Sequence, residues 1–309
     1  MKIAVTGGSG FIGQYLLRDY SGEHEFVVPL RKKNRTPQEL HFARYIDSDY
    51  TVESLKKIFT GCDAVIHLAG KKNVITQGDY IQNIQLGSNV FEACKELQIN
   101  NIVNISSRAV FGNEQFNSAN VVDEKESPHP DSLYGLSKVC TEVLAEFYNC
   151  NYDMNIKTYR MGEVCGLDLN YGMSHIFWKK LLDLSMRGQE LPLYGTGNGG
   201  RDLIYVKDVT NALIMGVKEA NQSGIFNIGN GSILTNKEIA MTFCDVFGNK
   251  AGIKLYPEQN DGGTKWWLNV EKAKHIFGFE TGYHIRDIVE DIKQEYIKFR
   301  CMEEMNKIG

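Results

Sequence analysis

The 309-residue sequence predicts an α/β fold, a doubly wound parallel sheet with a smaller, partly interleaved α/β lobe. Three observations predict it. Short, nearly continuous apolar runs at 2–5, 25–30, 64–68 and 102–105 alternate with segments of helical length, the pattern of parallel strands buried on both faces. The first run ends in Gly7, Gly10 and Gly13, and Phe11, Ile12, Tyr15, Leu16 and Leu17 then begin a helical pattern. Beyond Tyr171 the strict alternation fades, and loops carrying glycine, asparagine and tryptophan multiply.

Composition excludes several classes. A formal net charge of −4 gives no electrostatic reason to expect nucleic acid or an anionic membrane surface as a partner. The seven cysteines (62, 94, 140, 150, 165, 244 and 301) are scattered, with no CxxC pair and no Cys/His cluster. They read as free thiols in a reducing cytosol, and no metal site is expected. No apolar run approaches the length of a membrane span, and the run at 2–5 is too short for a signal peptide, so a cytoplasmic location is expected.

Taken in order, the strand at 2–5, the glycine turn and the helix after it form a context in which glycines have a mechanism. Without side chains the backbone turns tightly and approaches a pyrophosphate, which then faces the N–H groups and dipole of the helix start. A tight strand–helix turn with no ligand uses the same residues. The strand at 25–30 is followed by Arg31, Lys32, Lys33 and Arg35. In a dinucleotide fold an acid here would bind the ribose 2′-hydroxyl of NAD, whereas an arginine accommodates the 2′-phosphate of NADP. No acid is present in this run, so the charge leans towards NADP; a solvated basic loop is the other reading.

A third strand at 43–46 ends at Asp47, a helix covers 52–59, and the strand at 64–68 closes in Ala69-Gly70. A helix at 79–97 and a strand at 102–105, ending in Ser106-Ser107, complete the first half. In a Rossmann-type sheet the ligand crevice lies outside the carboxyl ends of the strands, which collects Gly7, Gly10, Gly13, Arg31, Asp47, Gly70 and Ser107 at one edge. Residues 111–130 read as a polar loop, long enough to be functional or covering. Further helices are expected at 132–149, 173–186, 207–219, 236–247, 270–277 and 285–299, with strands at 156–160, 191–194 and 203–206. The division this gives is 1–170 plus 201–230 for a dinucleotide-binding domain and 171–200 plus 231–309 for a second lobe.

Tyr134 and Lys138 are four residues apart on a predicted helix and share a face. A free tyrosine titrates near ~10, and an adjacent cation lowers that value by stabilising phenolate. Ser107 at the crevice could hold a substrate oxygen while its proton moves. Such a set suits proton transfer coupled to hydride transfer at an alcohol or ketone carbon. Arg201 follows a flexible glycine loop, a position that suits bidentate phosphate recognition, or it is a surface arginine paired with Asp202. His67 reads as a packed strand residue.

These residues resemble the extended short-chain dehydrogenase/reductases, specifically the NAD(P)-dependent nucleotide-sugar epimerase/dehydratase group, UDP-glucose and UDP-N-acetylglucosamine 4-epimerases among them. The resemblance covers nearly the whole chain. TGGSGFIG is similar to the cofactor loop, HLAG at 67–70 to the fourth-strand motif, and ISSRAVFG at 105–112 to the catalytic-serine segment. YGLSK, RDLIYVKDV at 201–209, FNIGNG and LNVEKAKHIFGF are similar to later landmarks. The resemblance implies a cofactor, NAD or NADP, held by Gly7, Gly10, Phe11, Ile12, Gly13, Arg31, Asp47, Leu68, Ala69, Gly70, Lys72, Asn83, Tyr134 and Lys138. It implies Ser107, Tyr134 and Lys138 as catalytic residues, and a UDP-sugar against Ser107, Tyr134, Glu163, Tyr194 and Arg201. Trp266-Trp267 either walls the sugar pocket or belongs to the core.

The implied activity is a nucleotide-sugar 4-epimerase working through a 4-keto sugar. A dehydratase would be expected to follow the serine with Asp-Glu, where this chain has Arg108-Ala109. An NADPH-dependent keto-sugar reductase and a catalytically silent nucleotide-binding regulator are the alternatives. Two departures stand out: Glu163 replaces the asparagine that usually helps bind the diphosphate, and the late arginine gives way to Glu258-Gln-Asn-Asp261. A homodimer through the helices at 79–97 and 132–149 is implied as well.

Overall fold

The computed structural model describes residues 1–31, 41–112, 120–168, 172–173 and 176–308. Lys32, Lys33, Arg35 and Tyr171 lie outside the described residues.

Strand β1 (Lys2–Thr6) leads through the glycine turn into helix α1 (Phe11–Tyr20), and β2 (Glu25–Leu30), β3 (Arg44–Asp47), α2 (Val52–Phe59), β4 (Ala64–His67), α3 (Gln77–Glu96) and β5 (Asn101–Ile105) follow. The sheet is completed by the strands Asn155–Met161 and Gly224–Ile228, which lie beyond β5. All seven strands are parallel, and running from the β3 edge the order is β3-β2-β1-β4-β5 and then those two. The reversal of direction at β1 and β4 is the switch point at which such sheets open a crevice. Several helices begin where short polar side chains occupy orphan backbone N–H groups. Thr51 caps α2, and Thr76 with Asp79 forms a capping box on α3. Ser132 caps α4 (Leu133–Tyr152).

Two apolar layers cover the sheet. One packs Val5, Leu16, Ile66 and Val103 against Leu213 and Val217 of α6 (Val206–Lys218), whose place in the chain follows α5 (Ile176–Met186). The other packs Leu55, Val65, Val90, Phe91 and Ile102 with Ala145 and Tyr148. A third cluster is the core of the second lobe: Trp178, Leu181 and Leu193 meet Phe243 of α7 (Asn236–Phe247) and Val289. Tyr15 and Tyr205 join it from the sheet side, so the lobe is interleaved with the first domain. Helices α8 (Glu271–Phe277) and α9 (Ile285–Ile308) close the chain.

The fold corrects three expectations. The polar loop at 111–130 contains a strand, Asn120–Val122, which pairs in parallel with Trp266–Leu268. It is too short for periodicity and exposes Val121, so the sequence hides it. The helix expected from 173 begins at Ile176, and Gly172–Met173 instead pairs with Leu167–Asp168. The last helix continues past 299 to Ile308.

Candidate active site

The glycine turn is shaped by close approaches. Gly7 has φ +73°, and a Cβ on it would fall 2.7 Å from the Ala69 backbone nitrogen. The ends of β1 and β4 nearly touch there, and a side chain would part them. A Cβ on Gly13 would lie 2.5 Å from the Gly8 Cα, so the third glycine seats α1 on the turn. Gly10 differs: a Cβ there would meet only the Gly7 carbonyl oxygen, at 3.2 Å. It stands at the N-terminus of α1, which no side chain caps among the described residues. The Phe11 and Ile12 side chains pack into the lobe core, leaving their backbone at the turn.

Beside this turn lies a cleft of about 310 Å³ lined by Gly7, Gly10, Arg31, Leu68, Ala69 and Gly70, all expected from the sequence. Lys71, inside the stretch 68–72 expected there, lines it too, as do Ser9, Leu30, Tyr50, Gln82 and Leu86, which sequence reasoning missed. Tyr50 has φ +64°, donates to the Pro29 carbonyl at 2.8 Å, and lies under the Arg31 guanidinium at 5.3 Å. Asp47 pairs in register with Leu30 and is not among the lining residues. Nor is Lys72; its neighbour Lys71 lines the cleft, with its ammonium paired to Asp79. Asn83 holds the cleft wall in place. Its Oδ1 accepts from the Lys71 N–H at 2.8 Å, and its Nδ2 donates to the Lys71 carbonyl at 2.9 Å and to Ser137 Oγ at 3.3 Å.

Ser107, Tyr134 and Lys138 are not among the residues that line this cleft, but the Lys138 ammonium would lie 3.7 Å from a Cβ on Gly70 at its edge, and the fold brings the three near one another. Ser107 lies two residues past the end of β5 and caps a single 3-10 turn, Arg108–Val110, accepting the Ala109 N–H at 3.2 Å. That bond leaves the serine proton free to point elsewhere, and Ser107 is near enough to the Tyr134 phenol to bear on its titration. Tyr134 lies in the first turn of α4, and Lys138 donates to the Ile105 carbonyl at 2.7 Å. The Lys138 ammonium is 5.8 Å from the Tyr134 ring centre. Gly135 makes this closeness possible, because a Cβ on it would lie 2.2 Å from the Ala109 carbonyl oxygen.

Burial lowers the Lys138 ammonium to about 8, with Glu142 opposing. The lowering expected from a neighbouring cation is not what governs the Tyr134 phenol: burial raises it, and Ser107 is the influence that opposes. His67 is buried, as expected of a packed strand residue. Its Nδ1 meets Thr6 Oγ1 at 2.7 Å, and burial next to Lys138 drives it down to about 3, keeping the ring neutral.

Behind the triad lies a buried network that the sequence did not single out. Arg160 Nη2 donates to Glu142 Oε2 at 2.8 Å, and its Nε reaches both Glu142 oxygens at 3.1 and 3.2 Å. Glu142 also accepts the Ser106 hydroxyl, while Arg160 covers the Phe111 ring at 4.8 Å. Glu142 is one turn beyond Lys138, so α4 is fastened to the end of β5 at two successive turns.

On the far side of Ser107, Arg201 meets Glu163, Nε to Oε2 at 3.2 Å. The pairing of Arg201 with Asp202 considered from the sequence is thus replaced. Asp202 is fully buried and accepts the backbone N–H groups of Asn230 at 2.7 Å and Leu268 at 2.9 Å. Arg108 packs its guanidinium on Trp266 at 4.1 Å and donates to Thr264 Oγ1 at 3.1 Å. Trp266 itself is 1% exposed among Val110, Phe111, Val122 and Leu268, so it is core, while Trp267 is partly exposed. Tyr194 is 47% exposed, edge-on to Tyr256 at 6.2 Å, with the Lys180 ammonium 5.6 Å from its ring centre. Among the described residues no cluster of His, Cys, Asp and Glu could hold a metal ion.

Residues 3–229 match the model of the NAD dependent epimerase/dehydratase family. The chain belongs to this family. Over 93% of its length it is 25% identical to an uncharacterized UDP-glucose epimerase of Bacillus subtilis, covering 95% of that protein. A solved UDP-N-acetylglucosamine 4-epimerase of Bacillus cereus is similar at 31% identity with a TM-score of 0.79, the match covering 94% of this chain and 95% of that one. The fold is also that of a Bacillus cereus UDP-glucuronic acid 4-epimerase solved with UDP-glucuronic acid and NAD, at 24% identity, TM-score 0.78, and 96% and 99% coverage.

The epimerase/dehydratase family is NAD dependent, and the residues present fit a dinucleotide. Gly7 and Gly10 leave room for a pyrophosphate at an uncapped helix start, and Tyr50 with Leu30 offers an apolar seat beside Arg31. The lean towards NADP rested on a basic run of which only Arg31 is described, and its guanidinium faces the Tyr50 ring. Among the described residues no helix is long and apolar enough to cross a membrane.

Proposed function

We propose that the chain is a nucleotide-sugar 4-epimerase acting on a UDP-hexose or UDP-N-acetylhexosamine through a 4-keto intermediate. One observation carries this reading: Ser107, Tyr134 and Lys138 are assembled, while the residues after Ser107 supply no acid for eliminating water. Arg108 is turned onto Trp266, and Ala109 has no functional side chain.

Bound nicotinamide would supply the acceptor and donor of hydride. The Ser107 hydroxyl, already oriented by Ala109, donates to the sugar C4 oxygen. Tyr134 takes the C4-hydroxyl proton and returns it after the keto sugar has turned over. Lys138, charged at neutral pH with a value of about 8, stabilises the Tyr134 phenolate that accepts the proton and that forms again when the proton is returned. Arg201 anchors the diphosphate, and Tyr194 flanks the base. Residues 1–170 with 201–230 hold the cofactor, and 171–200 with 231–309 hold the sugar nucleotide. Two copies associate through α3 and α4, where Ile81, Leu136, Val143 and Phe147 are exposed apolar residues.

The test is to incubate the purified protein with UDP-glucose, UDP-galactose and their N-acetyl forms, without added reductant. Interconversion is expected, and Tyr134→Phe should lose it by roughly 10²-fold or more while keeping the cofactor. Consumption of NADPH by a 4-keto sugar, without interconversion, would make it a reductase. Binding without turnover across the panel would make it a silent regulator.

A further inference from the structure

Glu163 is an acid in the place where a diphosphate is expected to arrive, and its surroundings give it a role. We infer that Glu163 stands in for the substrate's diphosphate on Arg201 and is handed to Arg108 when a nucleoside diphosphate binds, an inference that rests on the diphosphate reading of Arg201.

The geometry is that of one carboxylate between two cations. Glu163 Oε2 is 3.2 Å from Arg201 Nε and 3.9 Å from Arg108 Nη1. The shorter contact is a hydrogen-bonded ion pair, and the longer one needs less than ~1 Å of travel to become one. The backbone of Glu163 does not have to move. It is held in a parallel strand pair with Leu203–Tyr205, and its N–H donates to the Asp202 carbonyl at 2.8 Å. Arg108 is a fixed receiver, 12% exposed, flat on Trp266 and tied to Thr264. Arg201 is the more open cation, at 32% exposed.

The other acid nearby cannot play this part. Asp202 is fully buried, with one oxygen committed to the Asn230 N–H and the other to the Leu268 N–H. Glu163 is therefore the acid that can exchange partners. A diphosphate on Arg201 with Glu163 still in place would set like charges side by side. Moving Glu163 to Arg108 removes that repulsion and preserves an ion pair that would otherwise be lost. The device selects for charge. A ligand with two phosphates can displace the carboxylate, whereas one with a single phosphate or none recovers less.

The experiment is calorimetric titration of the full chain, loaded with cofactor, with UDP, UMP and uridine. Glu163→Gln is expected to bind UDP about threefold to tenfold more tightly and to narrow the UDP-over-UMP preference. Arg108→Met, which keeps an apolar contact with Trp266, is expected to weaken UDP by a similar factor alone and to have little effect when combined with Glu163→Gln. Unchanged or weaker UDP binding by Glu163→Gln overturns the inference, whether or not the Arg108 variant folds. An equal loss from Arg108→Met in both backgrounds overturns it too, because Arg108 would then be touching the diphosphate itself. Arg201→Gln separates the two levels: if it leaves UDP affinity unchanged, the diphosphate reading of Arg201 fails, and the handover with it.

Discussion

Glu142 and Arg160 form a two-pronged ion pair with side chains only 4% and 2% exposed, one on the helix of Tyr134 and Lys138, the other on the strand beside β5. A buried pair of this kind adds little net stability, yet removing one partner strands the other. Glu142→Gln is expected to cost about 3–5 kcal/mol, read as a lowered urea midpoint, because Arg160 keeps its charge. The double variant Glu142→Leu/Arg160→Met should recover much of that loss while the activity stays low, since Ser106 loses its acceptor on α4.

Lys138 gives a pH-dependent prediction. Its folded value of about 8 lies below the ~10.4 of an unfolded lysine, so between those values the unfolded chain binds more protons. Stability of the cofactor-free protein should therefore rise with pH across that window, and the cost of the buried charge is present in full below pH 8. Lys138→Met should be the more stable form at pH 7, by up to about 3 kcal/mol less about 1 kcal/mol for the lost bond to the Ile105 carbonyl. That advantage should shrink as the pH approaches 10, measured by denaturant titrations at successive pH values.

Gly135→Ala tests the closeness of the serine turn and α4. The added methyl meets the Ala109 carbonyl oxygen at 2.2 Å, so either the helix or the turn must retreat. Overpacking of this kind costs about 1–3 kcal/mol. A displacement of Tyr134 from Ser107 near 1 Å should reduce kcat by roughly 10²-fold. Cofactor affinity should change much less, because neither Ser107 nor Tyr134 lines the cleft beside Gly7.

The apolar face of α4 predicts association. Val143 and Phe147 are 65% and 50% exposed on neighbouring turns. Phe147→Asp should shift the protein to monomer in sedimentation velocity, with unchanged far-UV circular dichroism. A wild-type chain that sediments only as monomer would remove this face from the reading.

Much of the sheet was legible because its strands are buried on both faces and must be apolar throughout, and because Gly7 and Gly13 are dictated by contacts a Cβ cannot survive. Ser107, Tyr134 and Lys138 were legible as a spacing. Their meeting depends on Gly135, which looks like any glycine until the Ala109 carbonyl is placed above it. Tyr50 was not legible, since its left-handed φ and its position under Arg31 come from the return of β3 beside β2. Glu142 and Arg160 were hidden for a related reason: two charged residues 18 apart carry no sequence mark of a shared burial. Trp266 could be core or pocket wall until the strand Asn120–Val122 appeared beside it.

That strand pairing has a consequence for how the chain can be divided. Residues 3–229 match the family, yet the serine turn inside that stretch rests on Trp266 and Leu268, which lie outside it. A fragment ending at Gly229 would keep every residue that lines the cleft and bare the undersides of Val110 and Phe111 two and three residues from Arg108. Cutting the chain at that boundary would leave the turn that carries Ser107 without the residues it packs on.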